Sequence, residues 1–332
     1  MMHLLRSRSL TSNPIFISLG DPSGIGPEVF IKSLNNPEIQ KNLNSFVVIS
    51  STDVVHKAIK DLNKAIQINE VSNFDNLSDD AINVQNVDGC LDYELGSPNE
   101  ENAGYILKCL SKAAELANEN KSCLITGPIN KKIISTHLQN FSGHTEYLKN
   151  KFGVDEVLMF LTNSELHLGI ATTHIPLSKV PNSITKDLIV NKFHLLHDGL
   201  ESIFGYINPK IAVLGLNPHA GESGSIGKEE QLIISPAIKE LLADGYNAIG
   251  PLSADTAFAI RNHDAVLSMY HDQALPVIKT LDFNKTVNIT LGLPFLRVSV
   301  DHGTAENIAA SYSANNESML EAMLISLKNH AA

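Results

Sequence analysis

Three histidines follow directly on apolar runs: His174 after "LHLGIATT", His219 after "KIAVLGLNP" and His271 after "DAVLSMY". Imidazole is a common ligand for zinc and other transition metals, and three of them around an open position make a catalytic arrangement. The three lie far apart in the chain and match no local metal motif. The residues alone therefore leave two readings open: one shared ion, or three loop histidines each satisfied separately. Most other histidines have structural explanations. His56, His137, His194 and His197 fall in helical stretches, and His167 alternates within a strand.

Anion chemistry is the second possibility. "FSGHTEYL" places Ser142, Gly143, His144 and Thr145 just before an apolar helical segment. A small-residue turn at a helix start offers free N–H donors and a favourable dipole to phosphate or carboxylate. The alternative is a plain capping motif with Ser or Thr at the N-cap. Lys279, Asn288 and Arg297 surround "TVNITLGLPFLR", where a cation could clamp a phosphate; each could equally be a surface residue. "GDPSGIGPE" is a glycine-rich turn after a strand, but it does not have the G-x-G-x-x-G spacing of a dinucleotide fingerprint. G-x-S-x-G, Walker A, H-E-x-x-H and reactive-cysteine signatures are missing.

These residues need a scaffold that delivers them to one place. Short, nearly all-apolar runs ("PIFISLG", "NSFVVIS", "KSCLITG", "LHLGIATTH", "KIAVLGLN", "DAVLSMYH") alternate with helical stretches such as "NAGYILKCLSKAAELANEN", "SITKDLIVNKFHLLHDGLESIFG" and "SPAIKELLADG". Thr52 or Asp53 can cap the helix in "STDVVHKAIKDLNKA". The alternation predicts an α/β fold with a mainly parallel sheet covered on both faces. Ligands in such sheets bind beyond the carboxyl ends of the strands. Five strands end in polar clusters: "GDPSGIGPE", "TGPINK", "TTHIPL", "NPHAGE" and "YHDQ".

Bulk properties exclude several classes. A chain of 332 residues fits two lobes, and 43% hydrophobic with 18% charged residues is a globular composition. A net charge of -11 argues against a general nucleic-acid binder. No apolar run reaches the roughly 20 residues of a membrane span. Three unpaired cysteines, Cys90, Cys109 and Cys123, suggest a reducing compartment, so a cytoplasmic protein is expected. "MMHLLRSRSLTSN" is faintly like a transit peptide and is read as a frayed tail.

Taken together, "GDPSGIGPE", "TGPINK", "SGHTEYL", "TTHIPL", "AVLGLNPHAGE", "GPLSADTAF", "MYHDQALPVIK", "VNITLGLPF" and "SVDHGTA" resemble the 4-hydroxythreonine-4-phosphate dehydrogenase family of vitamin B6 biosynthesis, in order from about residue 15 to the C-terminus. Ala274 stands where a glycine is usual in that family, and Leu19 and Ser23 vary the first loop. The resemblance implies two α/β/α lobes with an intervening cleft, as in isocitrate and isopropylmalate dehydrogenases. The lobes are expected at 1–138 plus 286–332, on the cofactor side, and 139–285, carrying the metal histidines and dimer contacts.

It further implies His174, His219 and His271 as ligands of one divalent metal (Zn, Mg or Co), in a site built by both subunits of a homodimer. His144, Thr145, Lys279, Asn288 and Arg297 match substrate-binding positions, and His302 the cofactor segment. The implied reaction is NAD- or NADP-dependent oxidation of 4-phosphooxy-L-threonine at C3, then decarboxylation to 3-amino-2-oxopropyl phosphate. Lys279, Asp272 and Asp255 are the candidates for proton acceptor. Alternatives are the same chemistry on erythronate- or threonate-4-phosphate, a metal-dependent hydrolase, and a module that only binds a phosphorylated ligand.

Overall fold

A computed structural model describes residues 13–139 and 141–330, so the tail before Asn13 lies outside the described residues. The chain divides into two compact units, one of Met1–Gln139 with His302–Ala332 and one of Asn140–Asp301.

In the first unit, strands β1 (Ile15–Ser18), β2 (Phe46–Ser50), β3 (Gln67–Glu70), β4 (Ala81–Asn86) and β5 (Cys123–Thr126) run in the order β3-β4-β2-β1-β5. All four pairings are parallel. Parallel neighbours need crossovers, and helices supply them. The helix Ala103–Glu119 buries Ile106, Leu110, Ala113, Ala114 and Ala117, which recur at helical spacing. The helix Thr52–Asp61 is capped by Ser51, whose hydroxyl accepts from Asp53 N at 3.2 Å. Thr52 and Asp53, expected as caps, are instead its first two residues, because the extended backbone stops at Ser51.

Close backbone approach at the ends of β1 and β5 explains two glycines. Gly20 has φ +84°, and a Cβ there would stand 2.1 Å from Pro128 O. A Cβ on Gly127 would stand 2.2 Å from Leu19 O. Asp21 N then donates to Pro128 O at 3.0 Å, so the turns after β1 and β5 lock together.

In the second unit, β6 (Leu158–Thr162), β7 (His167–Thr172), β8 (Ile211–Leu214), β9 (Ala248–Leu252), β10 (Ala265–Tyr270), β11 (Val287–Leu291) and β12 (Leu296–Val300) take the order β12-β11-β6-β7-β10-β8-β9. The run β7-β10-β8-β9 is parallel, whereas β12, β11, β6 and β7 pair antiparallel. The tight connections Asn163–Leu166 and Gly292–Phe295 join consecutive strands and impose that direction. This pairing also puts residues 286–301, expected in the first lobe, in the second unit: β11 is hydrogen-bonded to β6 along its length.

The helix His271–Leu281 starts where β10 ends and buries Ala274, Leu275 and Ile278. These residues join Leu168, Ile170, Ala212, Leu214 and Val266 in one apolar cluster. Burial of this kind, at roughly 25 cal/mol per Å² of apolar surface, fixes the helix against β7, β8 and β10.

Candidate active site

The register of β7 and β10 pairs Thr172 with Tyr270. Parallel neighbours in step release their chains at the same edge, so His174 and His271 emerge side by side, with ring centroids 5.9 Å apart. Two imidazoles sharing an ion at about 2.0 Å from each nitrogen have centroids roughly 5–6 Å apart. His271 Nδ1 lies 2.6 Å from Asp272 Oδ1, which leaves Nε2 for a ligand. Gln273 braces this turn. Its Oε1 accepts from Met269 N at 2.8 Å, and its Nε2 donates to Gly215 O at 2.6 Å.

His219 is delivered differently. β8 ends at Leu214, and the chain then makes a left-handed turn: His219, Ala220, Gly221, Glu222 and Ser223 have φ between 45° and 78°. This conformation costs on the order of 1–2 kcal/mol for each non-glycine residue. His219 Nδ1 lies 3.1 Å from Glu222 Oε2, again leaving Nε2 outward. The Glu222 carboxylate, helped by Asp255, raises the imidazole's pKa above its ordinary value.

Among the described residues, no group of three His, Cys, Asp or Glu side chains stands close enough to hold a metal ion within one chain. The three imidazoles expected at one ion are thus gathered as a pair, with His219 apart. Within one chain, β8 stops early, and its turn carries an exposed imidazole bonded to Glu222. The donor set still suits a divalent transition metal. It offers imidazoles with the second ring nitrogen of His219 and His271 held by a carboxylate, the orientation found around metal-bound histidines.

Anion-binding groups form a second cluster. The helix His144–Phe152 begins after Gly143 (φ 148°), and Gly143 makes no side-chain capping bond. The expected Ser or Thr cap is therefore not formed, and the first-turn N–H groups are left to other acceptors. Arg297 on β12 is 3% exposed. Its Nη1 donates to Thr290 Oγ1 at 2.7 Å and to Thr145 Oγ1 at 3.3 Å. Burial draws the guanidinium down to about 10, against the pull of Glu146, so it stays cationic at neutral pH. Asn288 on β11 has a buried Oδ1 with no hydrogen-bond partner among the described residues. Such an orphan is costly unless a ligand meets it.

The three groups expected to accept a proton stand apart from one another in role. Lys279 Nζ is 3.0 Å from Asp301 Oδ2 and 5.6 Å from the centroid of the Phe283 ring. Asp272 is occupied in orienting His271. Asp255 accepts from Ser253 Oγ at 2.5 Å, and that bond holds its carboxyl below the ordinary range.

His302 belongs to the first unit, with Nδ1 3.0 Å from Gly303 O. Its segment is held to the first loop, since Ile25 N donates to Thr304 O at 3.1 Å. A Cβ on Gly303 would meet nothing within 4 Å, so the backbone beside His302 is open to a ligand. The same loop carries a buried carboxylate oxygen without a partner among the described residues, Asp21 Oδ2. An open peptide and an unmet acceptor suit a polar cofactor such as a nicotinamide nucleotide.

Sequence reasoning missed Glu230 and Gln273. Glu230 in "GKEEQL" reads as an exposed first-turn acid, yet it is 3% exposed. Only its place just after a glycine-rich turn hinted at a task.

Comparison with known proteins agrees in extent with these elements. A family model described as pyridoxal phosphate biosynthetic protein PdxA matches residues 42–326. A 4-hydroxythreonine-4-phosphate dehydrogenase of Sulfurihydrogenibium sp. (strain YO3AOP1) is 42% identical over 313 residues, spanning 94% of this chain and 96% of its own. One from Serratia proteamaculans (strain 568) is 38% identical over 324 residues, 96% and 97% of the two chains. The crystal structure of a 4-hydroxythreonine-4-phosphate dehydrogenase from Klebsiella pneumoniae superposes with TM-score 0.86 at 31% identity, covering 96% of this chain and 100% of that one. A terephthalate 1,2-cis-dihydrodioldehydrogenase from Burkholderia xenovorans LB400 shares the fold, with TM-score 0.68 at 22% identity. No described helix is long and apolar enough to cross a membrane.

Proposed function

The chain belongs to the PdxA family of pyridoxal phosphate biosynthetic proteins, and from that premise we propose that it oxidises 4-phosphooxy-L-threonine at C3 and releases CO2 to leave 3-amino-2-oxopropyl phosphate. The observation that carries this reading is the buried Arg297 guanidinium against Thr145, at the start of a helix with no side-chain cap. A cation, a hydroxyl and a helix start without a side-chain cap in one place suit a phosphate monoester. Binding energy from that remote group orients the C3 hydroxyl for reaction.

His174, His271 and His219 would hold one divalent cation (Zn, Mg or Co), with His219 coming from a second copy of the chain in a homodimer. His302 would meet NAD or NADP. When bound, the cation supplies positive charge at the reacting oxygen, and the nicotinamide supplies the hydride acceptor. Asp272 and Glu222 hold the tautomers of His271 and His219, so that each presents Nε2. Lys279, as the neutral amine, would take the hydroxyl proton, and the Asp301 carboxylate 3.0 Å away would hold the ammonium that forms, since Asp272 and Asp255 already serve neighbouring groups. Asn288 Oδ1 accepts from a substrate donor such as its amino group.

Side-by-side kinetics on 4-phosphooxy-L-threonine, erythronate-4-phosphate and threonate-4-phosphate, read as reduced nicotinamide absorbance, test the reading. The first substrate is expected to give the highest kcat/KM. Product formation without nicotinamide reduction would instead identify a hydrolase.

A further inference from the structure

We infer that Glu230 is the positioning residue for His219: its buried carboxylate holds the left-handed turn that presents this imidazole. The inference rests on the reading of His219 as a metal ligand.

Glu230 Oε1 accepts from Leu216 N at 2.8 Å and from Asn217 N at 2.7 Å. Its Oε2 accepts from Asn217 Nδ2 at 3.0 Å. Leu216 and Asn217 are the residues through which β8 hands the chain to the turn, so this carboxylate fixes the direction in which His219 leaves. The turn then wraps back onto the same group. A Cβ on Gly221 would stand 2.4 Å from Glu230 Oε2, and one on Gly215 would stand 2.8 Å from Ala220 Cα. Only glycine lets the backbone come this near.

The residues on either side reinforce the grip. Glu229 Oε2 accepts from Asn217 Nδ2 at 2.8 Å, and Gln231 Nε2 donates to Ser223 O at 2.8 Å. Residues 229–231 thus hold the turn at both ends.

A left-handed run with side chains is disfavoured on its own. It persists here because a buried carboxylate, which must find donors, finds them in the backbone that leads into the turn. An amide at position 230 could keep its oxygen against Leu216 N and Asn217 N, but its NH2 would then face Asn217 Nδ2, a donor that cannot accept from it. The turn would relax and His219 would lose its aim, while the strand beneath stays paired.

The test is cobalt binding by the full chain, with Co(II) alone as probe, read by calorimetry and visible absorption. Glu230→Gln should melt as a folded protein and bind Co(II) at least ten-fold more weakly, in the range seen when outer groups orienting a ligand are removed. Glu240→Gln, at an exposed ion pair with Lys186, should bind as the unaltered chain does. Unaltered Co(II) affinity in Glu230→Gln, with affinity lost in His219→Ala, would overturn the role of Glu230 and leave the metal reading standing. Unaltered affinity in His219→Ala would overturn the metal reading and this inference with it. Should Glu230→Gln fail to fold, Gly221→Ala presses on the same carboxylate and should weaken Co(II) similarly; unchanged affinity there overturns the inference.

Discussion

The two ends of β7 carry histidines in opposite circumstances. His167, at its start, is walled by Phe160, Phe204 and Tyr206, and its Nδ1 lies 2.7 Å from Thr162 Oγ1. Burial draws its pKa down to about 4, so it is neutral near pH 7. His174, two residues past the other end, is exposed beside His271. One residue type on one strand is thus wall material at the amino end and a candidate ligand at the carboxyl end. Position along the strand decides which, because the carboxyl edge of parallel strands is where chains turn out together.

The largest effect should come from breaking the carboxyl end. His174→Ala is expected to lower kcat/KM by three or more orders of magnitude, since removing a proposed metal ligand would forfeit several kcal/mol of charge stabilisation. Its unfolding free energy should stay within about 0.5 kcal/mol of the unaltered chain's, as at other exposed positions. Steady-state kinetics beside a denaturant titration checks both, and equal loss of fold and activity would erase the contrast between the ends.

Arg297→Ala should come next. Loss of a charge-assisted contact to the phosphate is expected to lower kcat/KM by the equivalent of about 1–3 kcal/mol, mostly through KM. Unchanged KM would remove Arg297 from the site.

The smallest effect at neutral pH belongs to His167→Phe, which should leave kcat/KM alone. Its signature is pH dependence. A folded pKa below the unfolded 6.5 means that the unfolded chain binds the proton first. Stability is therefore complete above pH 6.5 and is lost as pH falls toward 4, by on the order of 2 kcal/mol at pH 5. Denaturant midpoints at pH 7 and pH 5 should converge in His167→Phe relative to the unaltered chain. An unchanged slope would mean that the ring is not shielded.

Much of this edge was legible in the sequence. The all-apolar runs before His174, His219 and His271 mark strands buried on both faces, and the polar residues after them mark ends. Anything that depends on pairing was not legible. Residues 286–301 carry no sign that β11 would join β6, because antiparallel partners are chosen by connection and register and not by composition. Glu230 carries no sequence sign of burial, since burial of a carboxylate is decided by donors that lie 13 and 14 residues earlier in the chain. The exit of β8 was not legible either: it stops short of β7 and β10 and hands over to a turn of the opposite hand.

The pairing of Thr172 with Tyr270 makes the chemistry a matter of counting. Side chains alternate faces along a strand, so deleting any one residue between Ala265 and Tyr270 would swing His271 to the reverse side of the sheet. The interior of β10 can exchange one aliphatic side chain for another at modest cost, yet it cannot change its length by one. In that stretch the number of residues, more than their identity, is what the reaction inherits.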